Sequence, residues 1–127
     1  MTDLAKPLLV YDGDCGFCRA WIERWRRATG DALDYAPYQE VAERFPGVER
    51  EAFAAAVHLI EPDGRVSRGA EAVFRALACR PGGGAWWWAY RRLPGFAAAS
   101  EWLYAQVAAH RPALTRLTRW IPGGPRP

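Results

Sequence analysis

The sequence lacks any segment that would direct the chain to or through a membrane. Its first residues, "MTDLAKPLLVYDGD", contain no basic leader, no long apolar stretch and no cleavage site of small residues, so no signal peptide is predicted. Its most aromatic run, "PGGGAWWWAY", is far shorter than a bilayer span and is interrupted by glycine. We therefore expect a cytoplasmic protein.

Cysteine and histidine are scarce. The 127 residues include three cysteines, Cys15, Cys18 and Cys79, too few for a disulfide-stapled scaffold. In a reducing compartment, a close pair is more often catalytic, redox-sensing or metal-binding. A strong zinc pattern would show a second close pair, which is missing, and His58 and His110 lie far apart in sequence. A metal-binding domain and an unreactive pair stay open as alternatives, and no cofactor is predicted.

Acidic residues are scarce in the second half of the chain. Residues 1–67 hold 12 acidic and 8 basic residues, whereas residues 68–127 hold 2 acidic and 9 basic ones. A basic half can face nucleic acid, an anionic membrane surface or an acidic partner. Because no nucleic-acid-binding motif accompanies the charge, nucleic acid is not predicted as a partner. The alternative is that the arginines keep exposed helix faces soluble.

The residues that are present fit one globular domain, since 50% are hydrophobic and 24% are charged. An apolar run predicts a strand at 7–11, and "ALDYAPY" predicts a second strand. Between them, an apolar residue recurs every three or four positions from Phe17 onward, which predicts a helix that Gly30 ends. Its inner face would carry Cys18, Trp21, Ile22, Trp25 and Ala28. This order is a β-α-β unit.

The rest of the chain predicts a second unit and then helices only. "AVHLIEPDGRVSRG" is typical of a β-hairpin, because "PDG" favours a tight turn. The helix after it would turn Ala70, Val73, Phe74 and Leu77 inward, which completes a β-β-α order. The remaining helical segments are predicted at 41–45, 50–55, 85–92, 96–109 and 112–120.

The close cysteine pair lies where the first strand gives way to the first helix. A helix N-terminus offers unpaired N–H groups and partial positive charge, which stabilise a thiolate. Cys15 should be exposed there and act as the nucleophile on a disulfide. Cys18, on the inward face, should be shielded and resolve the mixed disulfide.

Asp12 and Asp14 precede the pair and are candidate site residues. Their charges oppose the helix effect on Cys15. A partly buried Asp12 could accept a proton from Cys18 in the resolving step. The alternative for both is turn and helix-cap chemistry, where aspartate is common.

Three consecutive tryptophans, Trp86 to Trp88, cannot all point to one side of a helix. One interpretation is a core that packs the helical tail onto the sheet. The other is a contact with a protein partner or a membrane surface, helped by Arg91 and Arg92. A non-catalytic interaction module built on this surface is therefore an alternative function.

"YDGDCGFC" resembles the opening motif of the DCC family of thiol–disulfide oxidoreductases, through Asp12, Asp14, Cys15 and Cys18. "DGRVSRGAEAVFRAL" is similar to the family's glycine turn and the helix after it. The closing helix is similar as well, and there the matching positions are Tyr104, Ala108 and Arg111. These segments span most of the chain.

The resemblance implies a thioredoxin-like α/β fold, with β-α-β and β-β-α units around a small central sheet and a C-terminal helical extension. Residues 1–80 would form the core with its CxxC motif, and residues 81–127 the extension packed on the same domain. The implied activity is dithiol exchange with a protein or small-molecule disulfide, and a cellular electron donor regenerates the dithiol. The sequence predicts no oligomeric state.

Two positions depart from the resemblance. His110 stands where asparagine is expected in the closing block. Thioredoxins place a cis-proline before the strand that opens their hairpin, facing the dithiol, whereas this chain has Ala56 and Val57 there. We therefore expect substrate handling to differ from that of ordinary thioredoxins.

Overall fold

The computed structural model describes residues 4–80 and 83–110. The predicted helix at 112–120 and the matching residue Arg111 lie outside the described residues. The strands are β1 (Leu8–Tyr11), β2 (Asp34–Pro37), β3 (His58–Ile60) and β4 (Val66–Arg68). The helices are α1 (Gly16–Thr29), α2 (Tyr38–Val41), α3 (Arg50–Ala55), α4 (Gly69–Ala78), α5 (Gly84–Arg92) and α6 (Phe96–Ala109), with 3₁₀ turns at Gly30–Ala32 and Ala42–Arg44.

The four strands form one mixed sheet in the order β2-β1-β3-β4. β1 and β2 run parallel, joined by α1, and Tyr11 at the end of β1 lies opposite Pro37 at the end of β2. β3 runs antiparallel to both β1 and β4. The predicted β-α-β and β-β-α order is confirmed, and the molecule has the thioredoxin-like α/β fold.

Both faces of the sheet are covered by other elements. Successive residues of the central strands point to opposite faces, and the side chains on both faces are apolar. Leu8 and Val10 of β1 pack with Phe53 of α3 on one face. Leu9 and Leu59 pack on the other. Leu9 and Leu59 have no solvent exposure, and burying such a side chain contributes about 1.5–3 kcal/mol. The second face is the one that holds α1 and α4 against the sheet.

The inward faces of α1 and α4 are narrower than predicted. On α1, Ile22 is buried, whereas Trp21 is 41% exposed and Ala28 is also exposed. On α4, Ala72 and Ala76 contact the core of the sheet. The predicted residues Val73, Phe74 and Leu77 are half-buried. Trp21, Val73 and Phe74 line a groove between α1 and α4, which leaves them partly open to solvent.

Helices α5 and α6 pack against α4 through aromatic and polar contacts. The Phe74 ring lies 5.7 Å from that of Phe96 and 6.3 Å from that of Trp86. Glu101 of α6 accepts hydrogen bonds from the backbone N–H groups of Ala70 (3.0 Å) and Glu71 (3.1 Å). These acceptors satisfy the N-terminus of α4, where Arg68 offers no side-chain cap.

Within the described residues, every helix is too short or too polar to cross a bilayer.

Candidate functional site: the dithiol at the start of the first helix

The backbone turns from sheet to helix at the cysteine pair. After β1 ends, the N–H of Cys15 donates to the carbonyl of Asp12 at 3.3 Å, which closes a four-residue turn. Gly13 packs tightly in this turn, since an added Cβ would lie 2.8 Å from the Pro37 Cβ. The helix then begins at Gly16. A short strand, a glycine turn and an amphipathic helix therefore fix the location of both thiols.

Cys15 caps the helix with its sulfur. Its backbone is extended (φ −92°, ψ 113°), and its Sγ accepts a hydrogen bond from the backbone N–H of Cys18 at 3.2 Å. That N–H belongs to the first turn of α1, where backbone N–H groups precede the carbonyl acceptors of the helix. Both the hydrogen bond and the positive end of the helix dipole favour a negative charge on this sulfur.

The two cysteines do not show the predicted contrast between an exposed and a shielded thiol. Both are half-buried. Cys18 lines the groove beside α1, together with Asp12, and the groove has a volume of about 420 Å³. Cys18 is therefore open to the groove, while Cys15 stands one helical turn before it.

Gln39 of α2 holds the turn and both aspartates. Its Oε1 accepts from the N–H of Gly13 at 3.1 Å, and its Nε2 donates to Asp12 Oδ1 at 2.9 Å and to Asp14 Oδ2 at 3.3 Å. Gln39 was not among the residues predicted for the site. The signal was available, because β1 and β2 run parallel, so the residues after their ends lie at the same edge of the sheet.

The structure places Asp12 and Asp14 beside the pair, in a turn network. Asp12 Oδ1 also accepts from the N–H of Asp14 at 3.0 Å. Each carboxylate therefore has hydrogen bonds that partly offset its charge. This is the turn chemistry given above as the alternative, and the position of Asp12 in the groove leaves the proton-acceptor role to be tested.

Cys79 lies away from the pair, at the C-terminal end of α4. Its Sγ donates to the carbonyl of Arg75 at 3.4 Å. Burial raises the pKa of the Cys79 thiol and the charge of Glu61 raises it further, whereas Arg75 lowers it. A raised pKa leaves little thiolate at neutral pH, so this side chain behaves as a small apolar residue.

The histidines do not join the cysteines in a metal site. His58 is buried in β3, where its Nδ1 bonds the carbonyl of Ala56 at 2.9 Å, and burial lowers its pKa. Its ring meets the edge of Phe53 at 4.9 Å. His110 is exposed and bonds the carbonyl of Gln106. Across residues 4–80 and 83–110, no three metal-binding side chains come together.

Tyr104 contacts the backbone at Val57, in the segment where thioredoxins have their cis-proline. The described residues have no cis peptide bond. The N–H of Val57 donates to the hydroxyl of Tyr104 at 2.8 Å, and Ala108 lines the same groove. Two of the three matching positions of the closing block therefore lie near the dithiol.

The tryptophans of α5 partly pack against α4, as the first interpretation predicts, and are partly exposed, as the second predicts. Trp86 packs on Phe74 but stays 55% exposed. The guanidinium groups of Arg75 and Arg91 lie 4.8 and 5.4 Å from the ring centroid of Trp87. Trp88 is 52% exposed. The cluster joins α5 to α4 and also presents an aromatic surface.

Comparison with known proteins gives one family. A model of the DCC1-like thiol-disulfide oxidoreductases matches residues 9–117. No curated protein and no solved structure matches the chain. The matched region contains the turn, the dithiol, the groove and all of the four strands except Leu8, the first residue of β1. Because the match covers most of the sequence, the chain belongs to the DCC1-like thiol-disulfide oxidoreductase family.

Proposed function

We propose that this protein exchanges dithiol for disulfide at its CxxC motif, with Cys15 as the nucleophile and Cys18 as the resolving thiol. The observation that carries the proposal is the hydrogen bond from the N–H of Cys18 to the Cys15 sulfur at 3.2 Å, at the N-terminus of α1. Thiolate, not thiol, attacks a disulfide, so the favoured anion is the attacking group.

The groups around the Cys15 sulfur have opposing effects on the stability of its thiolate. A hydrogen bond to an anion and the helix N-terminus stabilise the thiolate, the latter by about 0.3–1 kcal/mol. The carboxylates of Asp12 and Asp14 oppose it. Gln39 donates to both carboxylates and so reduces their effect on the sulfur. We propose that the remaining balance favours the Cys15 thiolate.

The reaction has two steps. The Cys15 thiolate attacks one sulfur of a disulfide RSSR, forming Cys15–S–S–R and releasing RS⁻. Cys18 loses its proton and attacks the Cys15 sulfur, which forms the Cys15–Cys18 disulfide and releases the second RS⁻. Two electrons pass from the protein to the substrate. We propose that Asp12, which lines the groove with Cys18, accepts the Cys18 proton.

The cycle needs a substrate disulfide and an electron donor. A cellular dithiol donor would reduce the Cys15–Cys18 disulfide by the same exchange in reverse. We propose that the reaction runs in the cytoplasm, as the sequence predicts, where such donors keep thiols reduced.

Intact mass spectrometry tests the proposal on the reduced protein with one equivalent of bis(2-hydroxyethyl) disulfide. The wild type should lose two hydrogens and release two small thiols per chain. Cys18→Ser should stop at one mixed disulfide on Cys15. Cys15→Ser should react at least about tenfold more slowly, because the stabilised thiolate is gone.

Cys79→Ser is the matched control, and it should behave as the wild type does. If Cys15→Ser forms its adduct as fast as Cys18→Ser does, the assignment of the nucleophile is wrong. If the folded wild type forms no internal disulfide, dithiol exchange is excluded for this protein.

A further inference from the structure

The groove beside the dithiol is of a size that holds a small organic group. Its volume is about 420 Å³, within the range of roughly 300–1,000 Å³ typical of ligand pockets. It runs between α1 on one side and α4 and α6 on the other, with Ala56 and Val57 at its base. Cys18 and Asp12 line it. The Cys15 sulfur lies 3.2 Å from the backbone nitrogen of Cys18, so a group attached to it starts beside a residue that lines the groove.

The wall of the groove is aromatic and aliphatic. α1 contributes Phe17, Trp21 and Trp25, and the facing helices contribute Val73, Leu103 and Val107. Trp21 is 41% exposed and Leu103 58% exposed. Large apolar side chains on both sides of one opening leave apolar area in water, and a ligand that covered this area would gain about 25 cal/mol per Å².

The polar groups of the base and the α6 wall already have partners inside the protein. The Val57 N–H donates to Tyr104, and the Val57 carbonyl accepts from the N–H of Gly69 at 3.0 Å. The Ala56 N–H donates to Ala52, and the Ala56 carbonyl bonds His58. An extended peptide could pair with this segment only by breaking those bonds, so strand addition is disfavoured here.

The charge of the groove also selects against anions. Asp12 is acidic, and none of the described residues that line the groove is basic. Asp14 adds a second negative charge beside the same turn. Glutathione disulfide, which carries several carboxylates, would enter an apolar space next to two like charges without a basic partner.

We propose that this groove binds the uncharged apolar substituent of the disulfide substrate, so that the protein reduces apolar disulfides in preference to anionic ones. This inference rests on the proposed function. The exchange is the one given above: Cys15 bonds to the sulfur that carries the apolar group, the other half leaves as a thiolate, and Cys18 then releases the bound half. The two electrons come from the Cys15–Cys18 dithiol of pre-reduced protein from which the reductant has been removed, so each chain reduces one disulfide in a single turnover.

Three disulfides test the preference: neutral aromatic 4,4′-dithiodipyridine, dianionic 5,5′-dithiobis(2-nitrobenzoate) and neutral hydrophilic bis(2-hydroxyethyl) disulfide. Each rate is divided by the rate of the same compound with the urea-denatured protein, which cancels the intrinsic reactivity of the disulfide. The normalised rate of the aromatic neutral compound should exceed those of the other two by about tenfold, since burial of about 60 Å² of apolar area gives such a ratio. The hydrophilic compound has no aromatic ring to bury, and the dianion could bury its ring only by desolvating a carboxylate.

Leu103→Glu and Leu93→Glu form a matched pair. Both leucines are about half exposed, at 58% and 45%, and Leu103 lines the groove whereas Leu93 does not. Leu103→Glu should lower the normalised rate of the aromatic compound about fivefold more than it lowers that of bis(2-hydroxyethyl) disulfide. Leu93→Glu should change neither rate.

Equal normalised rates for the three compounds in the wild type would overturn the proposal, and this result does not depend on any variant. Equal effects of Leu103→Glu and Leu93→Glu would overturn it as well. A dimer that dissociates in Leu103→Glu, with no preference among the compounds, would assign the groove to a second copy of the chain instead. If none of the three compounds is reduced by the dithiol, the proposed function itself fails, and this inference with it.

Discussion

At the scale of single residues, Cys79 is the thiol against which the pair can be judged. It belongs to the same chain, yet it packs half-buried against the core at the end of α4, while Cys15 caps a helix. Folding should therefore slow the reaction of Cys79 with an alkylating reagent and speed that of Cys15. The difference is one of backbone position and neighbouring groups, since all three side chains are the same.

Folding should slow the alkylation of Cys79. Because burial and the charge of Glu61 raise its pKa, the folded chain holds less Cys79 thiolate than the unfolded chain at any pH below that pKa. In a Cys15→Ser/Cys18→Ser variant, iodoacetamide should label Cys79 more slowly in the native than in the urea-denatured protein. The labelling rate increases with pH as the thiolate forms, and this increase should occur at a higher pH in the native than in the denatured protein. Faster native labelling would contradict this account.

At the scale of elements, Glu101 of α6 holds two other helices, α4 and α5. Its carboxylate accepts from the N-terminus of α4 and from the hydroxyl of Tyr90 in α5 at 2.8 Å. The close approach requires glycine at position 69, where φ is +65° and an added Cβ would lie 2.7 Å from Glu101 Oε1. Helix α6 thus supplies the cap that the local sequence of α4 lacks.

Replacing Glu101 by alanine should destabilise the protein by about 2–3 kcal/mol, because two backbone N–H groups and a hydroxyl lose a charged acceptor. Urea unfolding measures the change. Glu23→Ala, at an exposed position of α1, is the control and should stay within about 0.5 kcal/mol of the wild type. A comparable loss in both variants would show that Glu101 does not act as a cap.

The hydrogen bond between Tyr90 and Glu101 should make the stability of the protein depend on pH. Burial first, and then the hydrogen bond and charge of Glu101, raise the pKa of Tyr90 to about 12 from an ordinary value of 10.0. Between about pH 10 and pH 12 the unfolded chain has lost a proton that the folded chain keeps, so stability falls as the pH rises. Tyr90→Phe lacks this proton.

The stability difference between wild type and Tyr90→Phe should therefore be largest below about pH 10 and shrink toward pH 12. Urea titrations of both proteins at several pH values measure it, and the comparison cancels the other titrating groups. A difference that stays constant over this range would mean that the Tyr90 hydroxyl is not held by Glu101.

At the scale of the whole molecule, local patterns predicted the elements and missed the contacts between them. The apolar runs and the glycine turn were enough for β1, α1 and the hairpin, because strand and helix periods are local properties. Gln39 and Glu101 act across 27 and 31 residues. Neither side chain shows such a partner in its local sequence, and for Gln39 the indication comes only from the parallel pairing of β1 and β2.

The groove explains a second group of errors. Periodicity identifies an apolar face but does not reveal how much of it another element covers, so Trp21 and Val73 were expected to be buried. The structure leaves both beside an open space next to the dithiol. The division of the chain into a core at 1–80 and an extension at 81–127 stays a prediction. A test of this division would remove the hydrogen bonds by which Glu101 and Tyr104 of the extension contact the core.

The most direct measurement of the central claim is the alkylation rate of Cys15 at about pH 6.5, in the folded and the urea-denatured Cys18→Ser/Cys79→Ser variant. The serine at position 18 keeps the backbone N–H that faces the Cys15 sulfur. The account predicts that folding accelerates the labelling of Cys15 about threefold or more, because the N-terminus of α1 stabilises its thiolate. Equal or slower labelling in the folded protein would contradict it.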